Sequence, residues 1–246
     1  MDLAVLRDDM VDGLEHSTKG VVRSETVALA MRTVPRHVFV SDDRAAYADR
    51  EHREAGSTVL APSTVARFME ALEPADGHRT LVVGAGVGYT AALLAEIVGG
   101  RNVHAVELSH HLVHQARQYL RESGYDAVLV SHGDGAGGLD AYAPYDRILV
   151  EAAVRKAPDA LLAQLAEDGR LVMPRLQDVQ ELVAVRGDRS VAAYGSVALS
   201  PLLVPGEQPG AVERNRTARE DQELAARAAT RRHGWERNWI DWDDAY

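Results

Sequence analysis

LVVGAGVGYTAALLA, residues 81–95, decides the fold of this chain. An apolar run of strand length leads into Gly84, Gly86 and Gly88 and then directly into a helical pattern. Glycines at such a junction let the backbone turn tightly and let a ligand lie against it. The third glycine of a dinucleotide-binding GxGxxG loop would stand where this chain has Tyr89, and no GK[ST] follows. Neither an NAD loop nor a P-loop is therefore predicted.

Short apolar runs alternate with helical patterns after this stretch. Apolar runs of strand length between amphipathic helices predict parallel strands buried on both faces, which is typical of a doubly wound α/β, Rossmann-like sheet. The alternation runs through Thr80–Val83, Ala91–Ile97, Val103–Val106, Leu112–Leu120, Ala127–Val130 and Ile148–Val150. The segments that extend it are Leu161–Leu165, Gly169–Met173, Glu181–Val185 and Val191–Leu199. The last two flank a turn at Gly187 and predict a terminal antiparallel hairpin.

The chain divides into three regions. Helical spacing predicts an N-terminal helical cap over residues 1–62, the α/β core covers residues 63–205, and a C-terminal extension covers residues 206–246. In the extension, Trp235, Trp239 and Trp242 recur at spacings of four and three residues. These tryptophans either dock the extension onto the domain's own surface or form a partner or substrate site.

The composition excludes several kinds of site. None of the 246 residues is cysteine, which excludes disulfides, thiolate metal sites, iron–sulfur clusters and cysteine nucleophiles. His110 and His114 have the i, i+4 spacing of metal ligands on a helix, but no glutamate stands between them in the HExxH manner. We interpret them as a polar helix surface and predict no metal.

The charge balance is acidic, with 37 Asp and Glu residues against 27 Lys and Arg residues and a net charge of −10. Such a surface repels phosphate backbones, so no nucleic-acid partner is expected.

The first 14 residues lack the positive region and apolar core of a signal peptide, and no stretch approaches about 18 apolar residues, so neither export nor membrane insertion is predicted. We expect a cytoplasmic monomer. Its lysine-poor, acidic composition suits a high-salt cytosol or reflects genome composition alone.

Two acidic residues at predicted strand ends complete a candidate nucleotide site. Glu107 ends a strand about twenty residues after the glycine loop, where a carboxylate accepts hydrogen bonds from both ribose hydroxyls. Asp134 lies between two glycines after the next strand, where it reaches an adenine amino group while its neighbours leave room for the ring. A GxGxG loop is the pattern of S-adenosylmethionine-dependent methyltransferases. We predict cofactor contacts at Gly84, Ala85, Gly86, Gly88, Tyr89, Glu107, Leu108, Gly133, Asp134 and Gly135.

From about residue 5 to residue 205 the chain resembles the protein-L-isoaspartate O-methyltransferases. Besides the glycine loop, the resemblance is carried by PRHVFV (35–40), AYxD (46–49), GDG (133–135), APYD (143–146) and QLAEDGRLV (164–172). It implies methyl transfer from S-adenosylmethionine to the free carboxylate of an isoaspartyl residue, which begins repair of a damaged protein through a succinimide. The implied partners are proteins or peptides that carry isoaspartate. A carboxylate with a pKa near about 4 is ionised at neutral pH, so this reaction needs no general base.

Three segments depart from the family's usual pattern. The substrate loop, usually G-Q-T-I-S-x-P, here reads GSTVLAP over residues 56–62, so Leu60 replaces a serine whose hydroxyl lies near the acceptor carboxylate. Losing that hydrogen bond costs about 1 to 3 kcal/mol unless the retained Thr58 or the neighbouring Ser57 donates instead. Residues 51–55 replace a segment that is usually apolar and contains proline, and Glu151 follows the fourth predicted strand of the core, where a small residue is usual.

Glu151 leaves two hypotheses open. Facing the pocket, it would repel an anionic acceptor and suit a hydroxyl or amine acceptor that it deprotonates as a base. Otherwise it points to solvent or pairs with Arg155, one helical turn on. Isoaspartyl methylation therefore has two alternatives: a methyltransferase of the same family with another acceptor (an aspartate of a dedicated protein, a hydroxyl or an amine) and a non-catalytic S-adenosylmethionine-binding scaffold.

Overall fold

The computed structural model describes residues 2–16, 20–186 and 189–202. The chain separates into two compact units, Met1–Pro209 and Gly210–Tyr246. The predicted C-terminal extension and its three tryptophans lie outside the described residues. Among the helices that are described, none combines the length and the apolar character needed to cross a membrane.

The N-terminal region is helical first and then forms a small two-stranded ribbon. Helices α1 (Leu3–Glu15) and α2 (Glu25–Thr33) are followed by a 3₁₀ turn at Arg36–Phe39. The side chain of Asp2 caps α1 by accepting a hydrogen bond from the backbone N–H of Ala4, 3.0 Å away. Strands β1 (His52–Glu54) and β2 (Ser57–Val59) then pair antiparallel, so the predicted substrate loop begins as a strand.

The core is a seven-stranded sheet flanked by helices, which confirms the predicted doubly wound fold. Its strands lie in the order β5-β4-β3-β6-β7-β8-β9, and β8 and β9 form the predicted antiparallel hairpin. The strands from β5 across to β7 pair in parallel, whereas β8 pairs antiparallel with β7. Its elements, with the helices between them, are α3 (Pro62–Leu72), β3 (Thr80–Val83), α4 (Tyr89–Val98), β4 (Val103–Glu107), α5 (His110–Glu122), β5 (Leu129–His132), β6 (Tyr145–Val150), α6 (Asp159–Ala163), β7 (Leu165–Arg175), β8 (Glu181–Arg186) and β9 (Arg189–Ser196).

Two element boundaries differ from the prediction because tertiary pairing sets them. Strand β7 extends well beyond the predicted 169–173 and begins at Leu165, two residues after helix α6 ends at Ala163. Strand β5 begins at Leu129, which pairs with His104, and not at Ala127. Apolar runs of this length do not distinguish a short helix from a strand, and the register with a neighbouring strand decides where pairing starts.

Strand β3 lies at the centre of the sheet and divides the core into two apolar layers. Val82 belongs to the layer that contains α3, α4, α5 and the N-terminal helices. Leu81 and Val83 belong to the opposite layer, which contains Leu161 of α6. Alternate side chains of a strand point to opposite faces, so this short strand supports both layers.

The buried Arg36 joins the N-terminal region to the sheet. Its Nε donates to the carbonyl oxygen of Ala46 at 2.8 Å, and its Nη2 donates to that of Leu60 at 2.7 Å. Its guanidinium lies 4.6 Å from the ring centroid of Tyr89, the first residue of α4. Burial lowers the pKa of Arg36, but an arginine remains protonated in proteins. One side chain thus fixes the segment before the ribbon, the segment after it and the start of α4.

Replacing Arg36 with methionine should destabilise the fold, because two buried carbonyl oxygens lose their donors while most of the side-chain volume remains. We expect Arg36→Met to lower the free energy of unfolding by about 2 to 5 kcal/mol in chemical denaturation. The control is Arg44→Met at an exposed position, which should change it by less than about 0.5 kcal/mol. Equal stability of the two variants would contradict the structural role of Arg36.

Candidate functional site

The glycine loop turns sharply between β3 and α4 at the carboxyl end of the sheet. Gly84, Gly86 and Gly88 have φ angles of +85°, +52° and +96°, a region that side chains other than glycine rarely adopt. The backbone N–H groups of Gly84 and Ala85 both point to the carbonyl oxygen of Val106 on β4, at 2.9 and 3.2 Å. The glycine loop therefore lies against the carboxyl end of β4, the strand that pairs with β3.

Each glycine of the loop faces a different neighbour. A Cβ on Gly88 would lie 3.2 Å from Cγ of Leu120, so this glycine lets α4 pack against α5. A Cβ on Gly86 would lie 3.2 Å from the hydroxyl oxygen of Ser57 on β2, and one on Gly84 would lie 3.7 Å from the carbonyl oxygen of Glu151. The loop is consequently enclosed by the ribbon on one side and by the segment after β6 on another.

Glu107 holds the glycine loop through its carboxylate. Its Oε2 accepts a hydrogen bond from the N–H of Gly86 at 2.9 Å, and its Oε1 accepts one from the N–H of Ser109 at 3.0 Å. The residue is 8% exposed. Each carboxylate oxygen accepts about two hydrogen bonds, so both oxygens retain capacity for a ligand's paired hydroxyls. The predicted ribose contact stays a prediction. The carboxylate that would make it is held in place by these two hydrogen bonds.

The predicted adenine residues lie at the end of β5, beside those of β4. Asp134 accepts a hydrogen bond from the N–H of Ala136 at 2.9 Å through Oδ1, which begins a 3₁₀ turn. A Cβ on Gly135 would lie only 2.5 Å from Cγ1 of Val83, so packing against β3 requires this glycine. That reason differs from the predicted one, which was space for a ring. Leu108 follows Glu107, and its carbonyl oxygen lies 3.0 Å from Nε2 of His132.

The side chain of Tyr89 points into the protein interior and not toward the carboxyl end of the sheet, where the other predicted cofactor residues lie. The ring is 3% exposed and makes an edge contact with Phe39 at 5.5 Å between centroids, in addition to its contact with Arg36. Burial raises the pKa of its hydroxyl. The predicted cofactor contact of Tyr89 stays a prediction, and it falls to the backbone at the start of α4 because the ring is buried.

The substrate loop presents Ser57 and not Leu60 to the glycine loop. Leu60 is 8% exposed and belongs to the apolar layer that includes Phe39. Thr58 pairs with Arg53 across the ribbon and is half-buried. The hydroxyl of Ser57 lies against Gly86, so the ribbon brings to the glycine loop the residue that was predicted as an alternative donor to the missing serine.

Glu151 lies at the end of β6, directly beside the end of β3. Its backbone N–H donates to the carbonyl oxygen of Val83 at 2.8 Å, and its Oε1 is buried without a hydrogen-bond partner. The pKa of its carboxyl is raised to about 7, chiefly by burial; a hydrogen bond with the side chain of Thr90 opposes the rise, and the charge of Glu107 adds to it. Among the described residues no ion pair joins Glu151 to Arg155, although Glu151 retains some exposed surface.

The histidines of α5 lie on the helix surface. His110 is exposed, and its ring stacks on that of His132 at 3.5 Å between centroids. His114 is exposed on the same helix. In the part of the chain that the structure describes, no three His, Cys, Asp or Glu residues cluster as metal ligands would.

Comparison with known proteins finds a matching family, similar sequences and similar structures. Residues 7–203 match the family described as protein-L-isoaspartate(D-aspartate) O-methyltransferase. A protein-L-isoaspartate O-methyltransferase of Methanosarcina mazei is 41% identical over 206 residues, 80% of this chain and 83% of that protein. A solved structure titled protein-L-isoaspartate O-methyltransferase has a TM-score of 0.69 at 28% identity; the match covers 79% of this chain but only 65% of that one. A putative enzyme of the same name from Plasmodium falciparum, in complex with S-adenosyl-L-homocysteine, has the same fold, with a TM-score of 0.71 at 21% identity over 80% of this chain and 98% of that one.

The two glycines that flank Asp134 should respond differently to alanine. Gly135→Ala places a methyl group 2.5 Å from Val83 and should lower the free energy of unfolding by about 1 to 3 kcal/mol. Gly133→Ala meets Cγ2 of Val106 at an ordinary 3.5 Å and should cost less than about 0.5 kcal/mol. Urea denaturation of the ligand-free variants measures both. Similar losses would refute the packing role of Gly135.

Proposed function

The chain belongs to the protein-L-isoaspartate(D-aspartate) O-methyltransferase family, and we propose that it transfers a methyl group from S-adenosylmethionine to the free carboxylate of L-isoaspartyl residues in damaged proteins. This reaction begins their repair. The observation that carries the proposal is the family match over residues 7–203, which includes both the ribbon and the cofactor edge of the sheet. The partners are therefore proteins or peptides that contain isoaspartate.

The residues at the carboxyl end of the sheet fit S-adenosylmethionine. Glu107 has acceptor capacity for two ribose hydroxyls, Asp134 stands one strand further for the adenine amino group, and Gly84 and Gly86 let a ligand approach the backbone. Two carboxylates, Glu107 and Glu151, act on each other here, which suits a ligand of positive charge. When bound, the cofactor supplies an electrophilic methyl group on a sulfonium sulfur.

The chain's own contribution is alignment and exclusion of water. An isoaspartyl carboxylate is ionised at neutral pH, so no residue has to remove a proton from it. Holding the carboxylate in line with the methyl group and stripping its hydration are the tasks that remain. The ribbon lies against the glycine loop through Ser57 and is anchored by Arg36 through Leu60. It is the element that places the acceptor.

Ser57 is the residue that we assign to the acceptor carboxylate. Leu60, at the family's serine position, is buried in the apolar layer and has no donor group on its side chain. The hydroxyl of Ser57 lies against Gly86 of the glycine loop, and a hydroxyl can donate a hydrogen bond to a carboxylate. Thr58 is the second candidate donor, since it is half-buried on the same strand.

A second candidate function is methylation of a hydroxyl or an amine. The observation that favours it is Glu151, because burial holds its pKa near that of an effective general base at neutral pH. In that reaction Glu151 takes the proton of the acceptor. The family match favours the carboxylate acceptor, and a non-catalytic scaffold is the remaining alternative. A cytoplasmic location and a monomeric state remain predictions from the sequence.

Paired peptides that differ only in isoaspartate or aspartate test the proposed function. We expect release of S-adenosylhomocysteine with the isoaspartyl peptide alone, at low salt and at molar salt. In isoaspartate the free group is the α-carboxylate beside a main chain lengthened by one methylene, whereas in aspartate it is the side-chain carboxylate. Turnover of the aspartyl peptide would indicate another acceptor. No turnover with either peptide, once cofactor binding has been measured, would contradict isoaspartyl methylation.

Ser57→Ala tests the acceptor contact separately. It should lower kcat/KM for the isoaspartyl peptide about 10- to 100-fold, the equivalent of about 1.5 to 3 kcal/mol for a hydrogen bond to a charged group, with little change in the affinity for S-adenosylmethionine. Ser24→Ala is a matched control, since Ser24 is half-buried and its side chain makes no capping hydrogen bond. Unchanged kcat/KM in Ser57→Ala would assign the acceptor contact to another residue.

A further inference from the structure

The residues at the carboxyl edge of the sheet follow the strand order. Asp134 follows β5, Glu107 ends β4, Gly84 follows β3 and Glu151 follows β6, and these four strands are consecutive neighbours. If Asp134 contacts adenine and Glu107 contacts ribose, the part of the cofactor beyond the ribose extends over β3 toward β6. Its amino-acid portion then reaches Glu151.

Glu151 is the polar group at that end of the row that lacks a partner. Although the residue retains some exposed surface, its Oε1 is buried and accepts no hydrogen bond. Its main chain is fixed, because its N–H donates to Val83 and its carbonyl oxygen stands against Gly84. A buried acceptor without a donor loses the hydrogen bond that it had with water, so the site favours a ligand that supplies a donor.

The charges around Glu151 specify the chemistry of that donor. Glu107 acts on it from β4 as a second carboxylate, and Thr90 bonds to it from α4. In the described residues, neither glutamate forms an ion pair with Arg, Lys or His. Two carboxylates without a compensating cation favour a cationic ligand group, which returns the pKa of Glu151 from about 7 toward its ordinary value.

We propose that Glu151, ionised, binds the α-ammonium group of the methionine portion of S-adenosylmethionine. This inference rests on the proposed cofactor. An ammonium group carries three N–H donors as well as a positive charge, whereas the sulfonium centre has no hydrogen to donate to Oε1. An acceptor carboxylate is an anion and has no donor at all. Of these three groups, only the ammonium supplies both a hydrogen-bond donor and a positive charge.

Three ligands separate the ammonium from the rest of the cofactor. S-adenosylmethionine has the ammonium and the sulfonium, S-adenosylhomocysteine has the ammonium and a neutral sulfur, and 5′-methylthioadenosine has neither charged group. Calorimetric titration without any peptide gives Kd for each ligand with the wild type and with Glu151→Gln. We expect Glu151→Gln to weaken the first two about 10- to 100-fold and the third less than twofold. Glu151→Asp should recover part of the lost affinity, since it keeps the charge.

The matched control is Glu122→Gln, which removes the same charge from the exposed face of α5 and should leave all three affinities unchanged. A loss for S-adenosylmethionine much larger than for S-adenosylhomocysteine would overturn the proposal in favour of a sulfonium contact. Unchanged affinities with a lower kcat would overturn it in favour of a base. Weaker binding of 5′-methylthioadenosine would also overturn it, because the defect would then reach the adenosine end. Since no acceptor is present, failure of isoaspartyl methylation would not alter these results.

Discussion

The parallel pairing of β3 with both β4 and β6 is the constraint on which the site depends. The chain proceeds from β3 to β4 and β5 on one side and returns to β6 on the other, so the loops that follow β3 and β6 diverge. A crevice opens where they separate, and open α/β sheets bind their ligands at such a point. Gly84 and Glu151 stand on its two sides.

The ribbon of the N-terminal region lies against the glycine loop at one side of the crevice. Arg36 fixes the backbone on both sides of the ribbon and lies over Tyr89, so the ribbon and the start of α4 form one packed unit. Tyr119 of α5 donates to Glu54 of β1 at 2.8 Å, which ties the ribbon to a second helix. Ser57 consequently faces the glycine loop with a well-determined position, and a leucine at position 60 is compatible with the fold because it packs in the core.

The acidic residues of the site differ in what holds them. Glu107 is satisfied by two backbone N–H groups and is fixed before any ligand arrives. Glu151 has a buried oxygen without a partner and a carboxyl whose pKa is raised to about 7. A buried carboxylate oxygen without a hydrogen-bond donor destabilises the free protein. A ligand that donates to it removes that cost, so the site selects for such a ligand. This difference is why we assign Glu151 and not Glu107 to a charged group of the cofactor.

The sequence by itself determined the doubly wound sheet, its antiparallel hairpin, the glycine loop and the acids at the ends of β4 and β5, because apolar periodicity and motif spacing are local properties of a chain. The tertiary structure alone decided that Gly135 is required by Val83, that the ring of Tyr89 turns inward to Arg36, that Ser57 meets Gly86, and that Glu151 is enclosed without Arg155. Each of these contacts joins residues from separate elements. Strand order, register and helix packing determine which of these side chains meet. The spacing of residues along the chain does not specify any of the three.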